Sequence, residues 1–318
     1  MRKYKQSEYS DSLMTLAFSG SEKTLDKLEK IYTLIRPFVI DSLKDFRPKT
    51  HLGRPSNDPE ALFKIFFIQK LQGESDRVVL ENVIDRISYR RFLGISKDEE
   101  IPDRKQLVTF RKNYFRERSP EKLFNELFKI LRREDIIVKA GSMIDSQIIE
   151  SPGKKSSSKD RRDKYAKWVK KHKKSFFGYK MHINVDRDTK LIKRMKVTSA
   201  KVHDFEVMED ILSKRTTKTL YADKGYASPV QEKTLEQNGI RSKVMRKSYR
   251  DKPLSRQDEE RNKRISKTRA RVEHVFGRFV TEFKYVRTRY FKKYMNEMDM
   301  FFMAFLYNAK ESIRMMYL

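Results

Sequence analysis

The chain has 318 residues, with 73 Lys and Arg against 44 Asp and Glu, a formal charge of +29. That surplus is far above the charge of about 2–8 suited to a small soluble domain, and it points to nucleic acid before an anionic membrane or an acidic protein. The absence of cysteine excludes disulfides and thiolate zinc sites, 38% apolar residues exclude compositional disorder, and no apolar run approaches the ~20 residues that span a bilayer.

The opening residues, MRKYKQSEYS, carry no apolar signal-peptide core, so a soluble cytoplasmic protein is expected. Residues 58–93 place apolar side chains at helical spacing. Asp58 is a natural N-cap, Pro59 suits the first helical position and Gly73 a stop, which predicts two helices joined by QGESD. DRKQLVTFRKNYF, from Asp103, and SPEKLFNELFKILRRE, 119–134, add two more, so residues 1–135 read as a mostly helical domain. GRP at 53–55 is a weak minor-groove signal.

From residue 139 the pattern changes to short strands: GSMIDSQIIE, FFGYKMHINVD and LIKRMKVTSA, then a helix HDFEVMEDILSK, then a fourth strand in KTLYADKGYAS. A helix at SPVQEKTLEQNG, a strand at IRSKVMRK and a long helix over 255–283 follow, so 136–318 reads as an α/β domain. The Met- and Phe-rich helix 294–316 reads as core packing. Between the first two strands, PGKKSSSKDRRDKYAKWVKKHKKS lacks apolar periodicity and reads as a mobile loop. Its Lys170, Lys171, Lys173 and Lys174, interleaved with Tyr165 and with Trp168, the single Trp of the chain, suit backbone phosphates and an exposed base.

Asp145 lies in the middle of the first of these strands and Asp223 at the end of the fourth, so the two carboxylates converge if the strands are neighbours. Glu273, on the long helix, shares a face with Arg269 and Val272. Two aspartates and a glutamate form a set of hard oxygen donors able to hold two Mg²⁺ ions about 4 Å apart. Taken singly, each acid has a plainer reading: Asp145 ends a strand, Glu273 is a solvated helix charge, and Asp204 caps the helix after it. His274 is a surface or capping histidine by the same standard.

MIDSQIIESP, KSFFGYKMHINVD, AKVHDFEVMEDIL, LYADKGYAS and RARVEHVFGRF, in that order, resemble the DDE transposases of bacterial insertion sequences, in particular the insertion-sequence-five group. Upstream, GRPSNDPEALFKIFFIQKL, DRISYRRFLGIS and EIPD resemble the helical DNA-binding segment of that group, so the likeness covers about residues 50 to 310. It implies an RNase H-like catalytic domain over 136–318, behind an all-α, helix-turn-helix-like DNA-binding domain over 1–135. It also implies that Asp145, Asp223 and Glu273 are the metal-binding catalytic triad, for two Mg²⁺ ions with Mn²⁺ able to substitute. Lys224 and Arg269 flank the acids and are expected at DNA phosphates, and His203 recurs near the site in the family pattern. Related groups carry a Tyr and a Lys around the glutamate where this chain has Ser266 and Val280, which argues against hairpin chemistry.

The expected activity is metal-dependent hydrolysis and strand transfer at the terminal inverted repeats of an insertion sequence. Double-stranded DNA, as those repeats and as target, is the expected partner, with a homodimer on DNA, a nucleoid-associated location and no membrane. A catalytically inactive DNA-binding derivative is the alternative; an RNA-directed nuclease fits the tandem helices less well.

Overall fold

The structure is a computed structural model that describes residues 19–46, 58–96, 99–134, 136, 141–152, 163–171, 173–212 and 217–316. GRP at 53–55 and residues 153–162 of the Ser/Lys-rich stretch lie outside them. The chain divides into two compact units, Met1–Leu127 with Ala309–Leu318, and Phe128–Asn308.

In the first unit α1 (Ser19–Ser42) buries Leu25, Leu28, Ile31, Tyr32, Ile35 and Val39, a stripe at three- and four-residue spacing. The central element is α2 (Pro59–Gln72), in which residues 61–63 and 65–71 are all buried. Asp58 accepts a hydrogen bond from the Glu60 N–H, and Gly73 closes the helix at φ 68°, a conformation that costs glycine little. The stretch after Gly73 forms two helices rather than the single one predicted: α3 (Asp76–Asp85) and α4 (Ile87–Leu93) part at Arg86, whose backbone is extended. No Gly or Pro marks that break. α5 (Arg104–Arg116) starts with a capping box of Asp103 and Gln106, and α6 (Ser119–Arg133) follows.

The second unit is built on a six-stranded sheet. β1 (Gly141–Glu150) pairs antiparallel with β3 (Lys174–Asp186), and β3 with β4 (Ile192–Ser199). On its other edge β1 pairs parallel with β5 (Thr219–Ala222), and β5 with β6 (Arg241–Val244). Three antiparallel strands followed by two parallel ones, in the order β4-β3-β1-β5-β6, form the RNase H-like sheet expected from the motifs.

The sixth strand corrects the expected loop. β2 (Lys167–Lys171) forms a hairpin with residues 174–178, in which Trp168 faces Phe177 with ring centroids 5.3 Å apart. Cross-strand pairing of aromatic rings stabilises a strand that its lysines disguise in the sequence. Lys173 in the turn takes φ 63°.

Successive strand residues face opposite sides, so the sheet is covered twice. On one face Ile144, Leu220, Ala222 and Val244 pack with Met208 and Ile211 of the short helix α7 (Met208–Ile211) and Leu235 of α8 (Pro229–Gln237). The helix predicted over HDFEVMEDILSK is thus only a 3₁₀ turn, Asp204–Val207, and one α-turn. On the other face lies α9 (Arg256–Thr281), which packs against β1 and β5 and buries Val272, Val275, Phe276 and Phe279. α10 (Lys293–Met316) is buried over residues 298–309, and the Asn308 amide pairs with the backbone N–H and C=O of Ile192 at 2.8 Å each.

Candidate active site

β1 and β5 carry the two aspartates side by side. Their parallel register ends at Ile144 opposite Ala222; Asp145 is the next residue of β1, and Asp223 follows directly on the end of β5. Both side chains point to the face covered by α9, because Ile144 and Ala222 occupy the opposite face. The chain turns sharply after Asp223: the Tyr226 N–H returns to its carbonyl at 2.9 Å, and buried Tyr226 anchors the turn.

Arg269 of α9 reaches down to both acids. Its Nη2 lies 3.0 Å from Asp145 Oδ2, and its Nη1 3.7 Å from Asp223 Oδ1 and 3.7 Å from Met245 Sδ. The guanidinium is 10% exposed, Asp145 19% and Asp223 41%, so the pair opens to solvent on the Asp223 side. The Arg269 Nε is buried without a hydrogen-bond partner. Burial pushes the Asp145 carboxyl above its usual range. Arg269, the Ser146 N–H and Lys171 pull the other way, while the charge of Asp223 adds to the rise. Side by side, the two carboxylates face the single positive charge of Arg269. Two hard oxygen donors so placed fit a divalent cation.

Behind Asp145, on the other face of β1, lies a polar network that the sequence reading missed. Asp204 does not cap the turn that begins with it. Its Oδ1 accepts hydrogen bonds from Ser146 Oγ at 2.9 Å and Lys180 Nζ at 3.0 Å. His182, across from Ser146 on β3, donates or accepts at Thr198 Oγ1 over 2.9 Å, and burial lowers its pKa to about 4, so it is neutral. Asn184 Nδ2 donates to the Ile211 carbonyl at 2.8 Å. The available signal was Lys180, His182 and Asn184 at spacing two, a polar row on one face of a buried strand. A Cβ on Gly225 would meet Asp204 Oδ2 at 3.4 Å, so the turn after Asp223 lies against the same carboxylate.

The remaining candidates lie elsewhere. Glu273 is exposed, one turn beyond Arg269 on α9, in a groove lined by Lys190, His274, Gly277, Arg278 and Tyr307. Among the described residues no three His, Asp or Glu are grouped closely enough for a metal. His203 is exposed and its ring stacks on Phe205 at 5.8 Å. Lys224 is exposed on the turn after Asp223. Arg271, two residues from Glu273 on α9, donates to the Arg187 carbonyl at 3.1 Å and is no separate candidate. Trp168, Lys170, Lys171, Lys173 and Lys174 are all exposed on the hairpin, Lys170 and the others lying on or beside its turn.

The family model described as Transposase DDE domain matches residues 138–309, more than half of the chain and the whole sheet with its helices. The chain belongs to the DDE transposase family. A second model, Transposase domain (DUF772), matches residues 17–113 of this transposase. Among solved structures, a piggyBac transposase synaptic complex with hairpin DNA aligns over 96% of this chain and 81% of its own, at 14% identity and a TM-score of 0.43. No helix among the transposase's described residues is long and apolar enough to cross a membrane.

Proposed function

We propose that this transposase moves an insertion sequence of the insertion-sequence-five group. Residues 1–135 bind the terminal inverted repeats in a helix-turn-helix-like manner. Residues 136–318 hydrolyse a phosphodiester at each element end and pass the freed 3′-hydroxyl to target DNA. The observation that carries this reading is the pairing of Asp145 and Asp223 on adjacent parallel strands under one buried arginine.

Asp145 and Asp223 would hold divalent cations, Mg²⁺ or Mn²⁺, which when bound supply positive charge at the phosphate oxygens and a more acidic attacking oxygen. Glu273 is the third member of the set in this reading. Four residues separate it from Arg269, a step of about 6 Å along the helix axis, so it joins the pair only as α9 or its side chain shifts. Lys224, on the turn after Asp223, and the exposed hairpin residues Trp168, Lys170, Lys171, Lys173 and Lys174 hold phosphates and a base of the bound strand. His203 borders the site. Since two element ends react together, the DNA-bound form is a homodimer.

Asp223→Asn keeps the size and the exposed position of the side chain but removes its charge. Incubated with labelled element-end DNA and Mg²⁺ or Mn²⁺, wild type is expected to cut, and the variant to cut about 10³-fold more slowly or worse while binding equally. The separation of Glu273 from the aspartates favours one rival, a DNA-binding derivative without catalysis. Wild-type protein that binds but never cuts would establish that rival, and equal cutting by Asp223→Asn would remove the aspartates from the chemistry.

A further inference from the structure

Within the second unit a cleft of about 640 Å³ opens between Lys164 and Tyr165, just before β2, and the segment 291–297 at the start of α10. Three lysines, Lys164, Lys292 and Lys293, line it against one acid, Glu297. Two of its rings are held in solvent: Tyr165 is 55% exposed and Phe291 50%.

Both walls rest on a buried hydrogen-bonded hub. Asp163, 2% exposed, accepts from Tyr179 Oη at 2.7 Å, Asn296 Nδ2 at 3.2 Å and the Tyr165 N–H at 3.1 Å. Asn296 in turn accepts from the Tyr290 N–H at 3.1 Å and donates to its carbonyl at 2.8 Å. The Thr288 N–H donates to the Glu150 carbonyl at 2.8 Å, fastening the second wall to the end of β1. A fold that fixes two large rings outward from such a floor has exposed apolar area placed for a ligand.

A ligand for flat rings rimmed by ammonium groups has flat apolar faces and repeated negative charge, which is the chemistry of a nucleic-acid strand. A duplex buries its base faces, so the strand must be unpaired where it enters. We propose that this cleft holds an unpaired nucleotide of the bound DNA, its base stacked on Tyr165 and Phe291 and its phosphates at Lys164, Lys292 and Lys293. This rests on the reading of the protein as a DNA-acting transposase. Glu150 lies five residues beyond Asp145 on β1, about 17 Å along the strand.

The test uses the full chain and two probes: a blunt duplex of about thirty base pairs, and the same duplex with an overhang of about five nucleotides containing a fluorescent adenine analogue. Wild type is expected to bind the overhang about tenfold more tightly than the blunt end and to quench the analogue. Tyr165→Ala and Phe291→Ala should bring that ratio to about one with blunt-end affinity and melting temperature unchanged, while Phe291→Tyr retains the preference. A wild-type ratio near one, or a ratio that survives both alanine variants, overturns the assignment. If Phe291→Ala instead alters the oligomeric state in sedimentation and leaves the ratio intact, the cleft holds protein and the assignment also fails. Failure to bind even the blunt duplex would sink the DNA-acting reading itself, whereas blunt binding without overhang preference removes only the cleft.

Discussion

Arg269 and Arg111 are both buried against carboxylates, and the two sites show opposite electrostatic balances. Arg111 grips Asp76 with both nitrogens, at 2.6 and 3.0 Å, and its Nη1 also lies 3.3 Å from Gln69 Oε1. Burial pushes the Asp76 carboxyl up, yet the hydrogen bonds and charge of Arg111, with help from Gln69, hold it down at about 2. At Asp145 burial prevails over Arg269 and the Ser146 N–H, and the charge of Asp223 adds a smaller push in the same direction. The Asp76 shift has a definite sign. Its folded pKa lies below the unfolded value near 3.9, so the pair contributes fully above about pH 4 and is lost as pH falls toward 2, a contribution of about 2 kcal/mol. Asp76→Asn should therefore be less stable than wild type by at least that amount at pH 6, with the gap closing near pH 2 in urea melts across a pH series. A gap independent of pH would show that the charge is not what stabilises the pair. Asp145 and Asp223 were legible as residues because each acid interrupts or ends an apolar strand. The inward turn of Arg269 was not, since a basic side chain on a helix reads the same whether it meets DNA or a carboxylate.

Among the elements, β1 carries Asp145 and runs close against β3 at Gly178. A Cβ there would lie 2.1 Å from the Ile149 carbonyl oxygen and 2.9 Å from the Glu150 Cα, backbone atoms that cannot step aside alone. Gly178→Ala is expected to cost about 1–3 kcal/mol by forcing β1 away from β3. Gly277→Ala on α9 is the control, because nothing lies within 4 Å of its Cβ position and alanine favours a helix by about 1 kcal/mol. Urea denaturation of both variants checks the pair; equal stabilities would refute the close approach of β1 and β3. Strands with apolar alternation, such as 176–186 and 192–199, were legible in the sequence, as were the starts and stops at Asp58, Gly73 and Asp103. β2 was not, because four of its five residues are Lys or Trp exposed to solvent. The α3–α4 break was hidden too, since Arg86 leaves the helical region without any residue that requires it.

At the scale of the whole molecule, a +29 charge meeting DNA as proposed acts through many weak phosphate contacts rather than one strong one. If Lys170, Lys171, Lys173 and Lys174 each meet a phosphate, replacing all four by alanine lowers the slope of log affinity against log salt by about 3–4. Titrating duplex binding at several salt concentrations reads that slope directly, and an unchanged slope would take the hairpin off the DNA. Residues 136–318 hold 45 Lys and Arg against 22 Asp and Glu, while residues 1–135 hold 28 against 22, so most of the charge lies in the part of the chain that carries the paired aspartates. Arg269 meets Asp145 across 124 residues of chain, and contacts so remote form late in folding. A ribosome must therefore release nearly the whole protein before the acids, their strands and their arginine can come together. On the proposed reading, a copy that stops short of Arg269 lacks the assembled means to cut DNA, so a cell making this protein is exposed to breakage only by molecules long enough to carry that arginine.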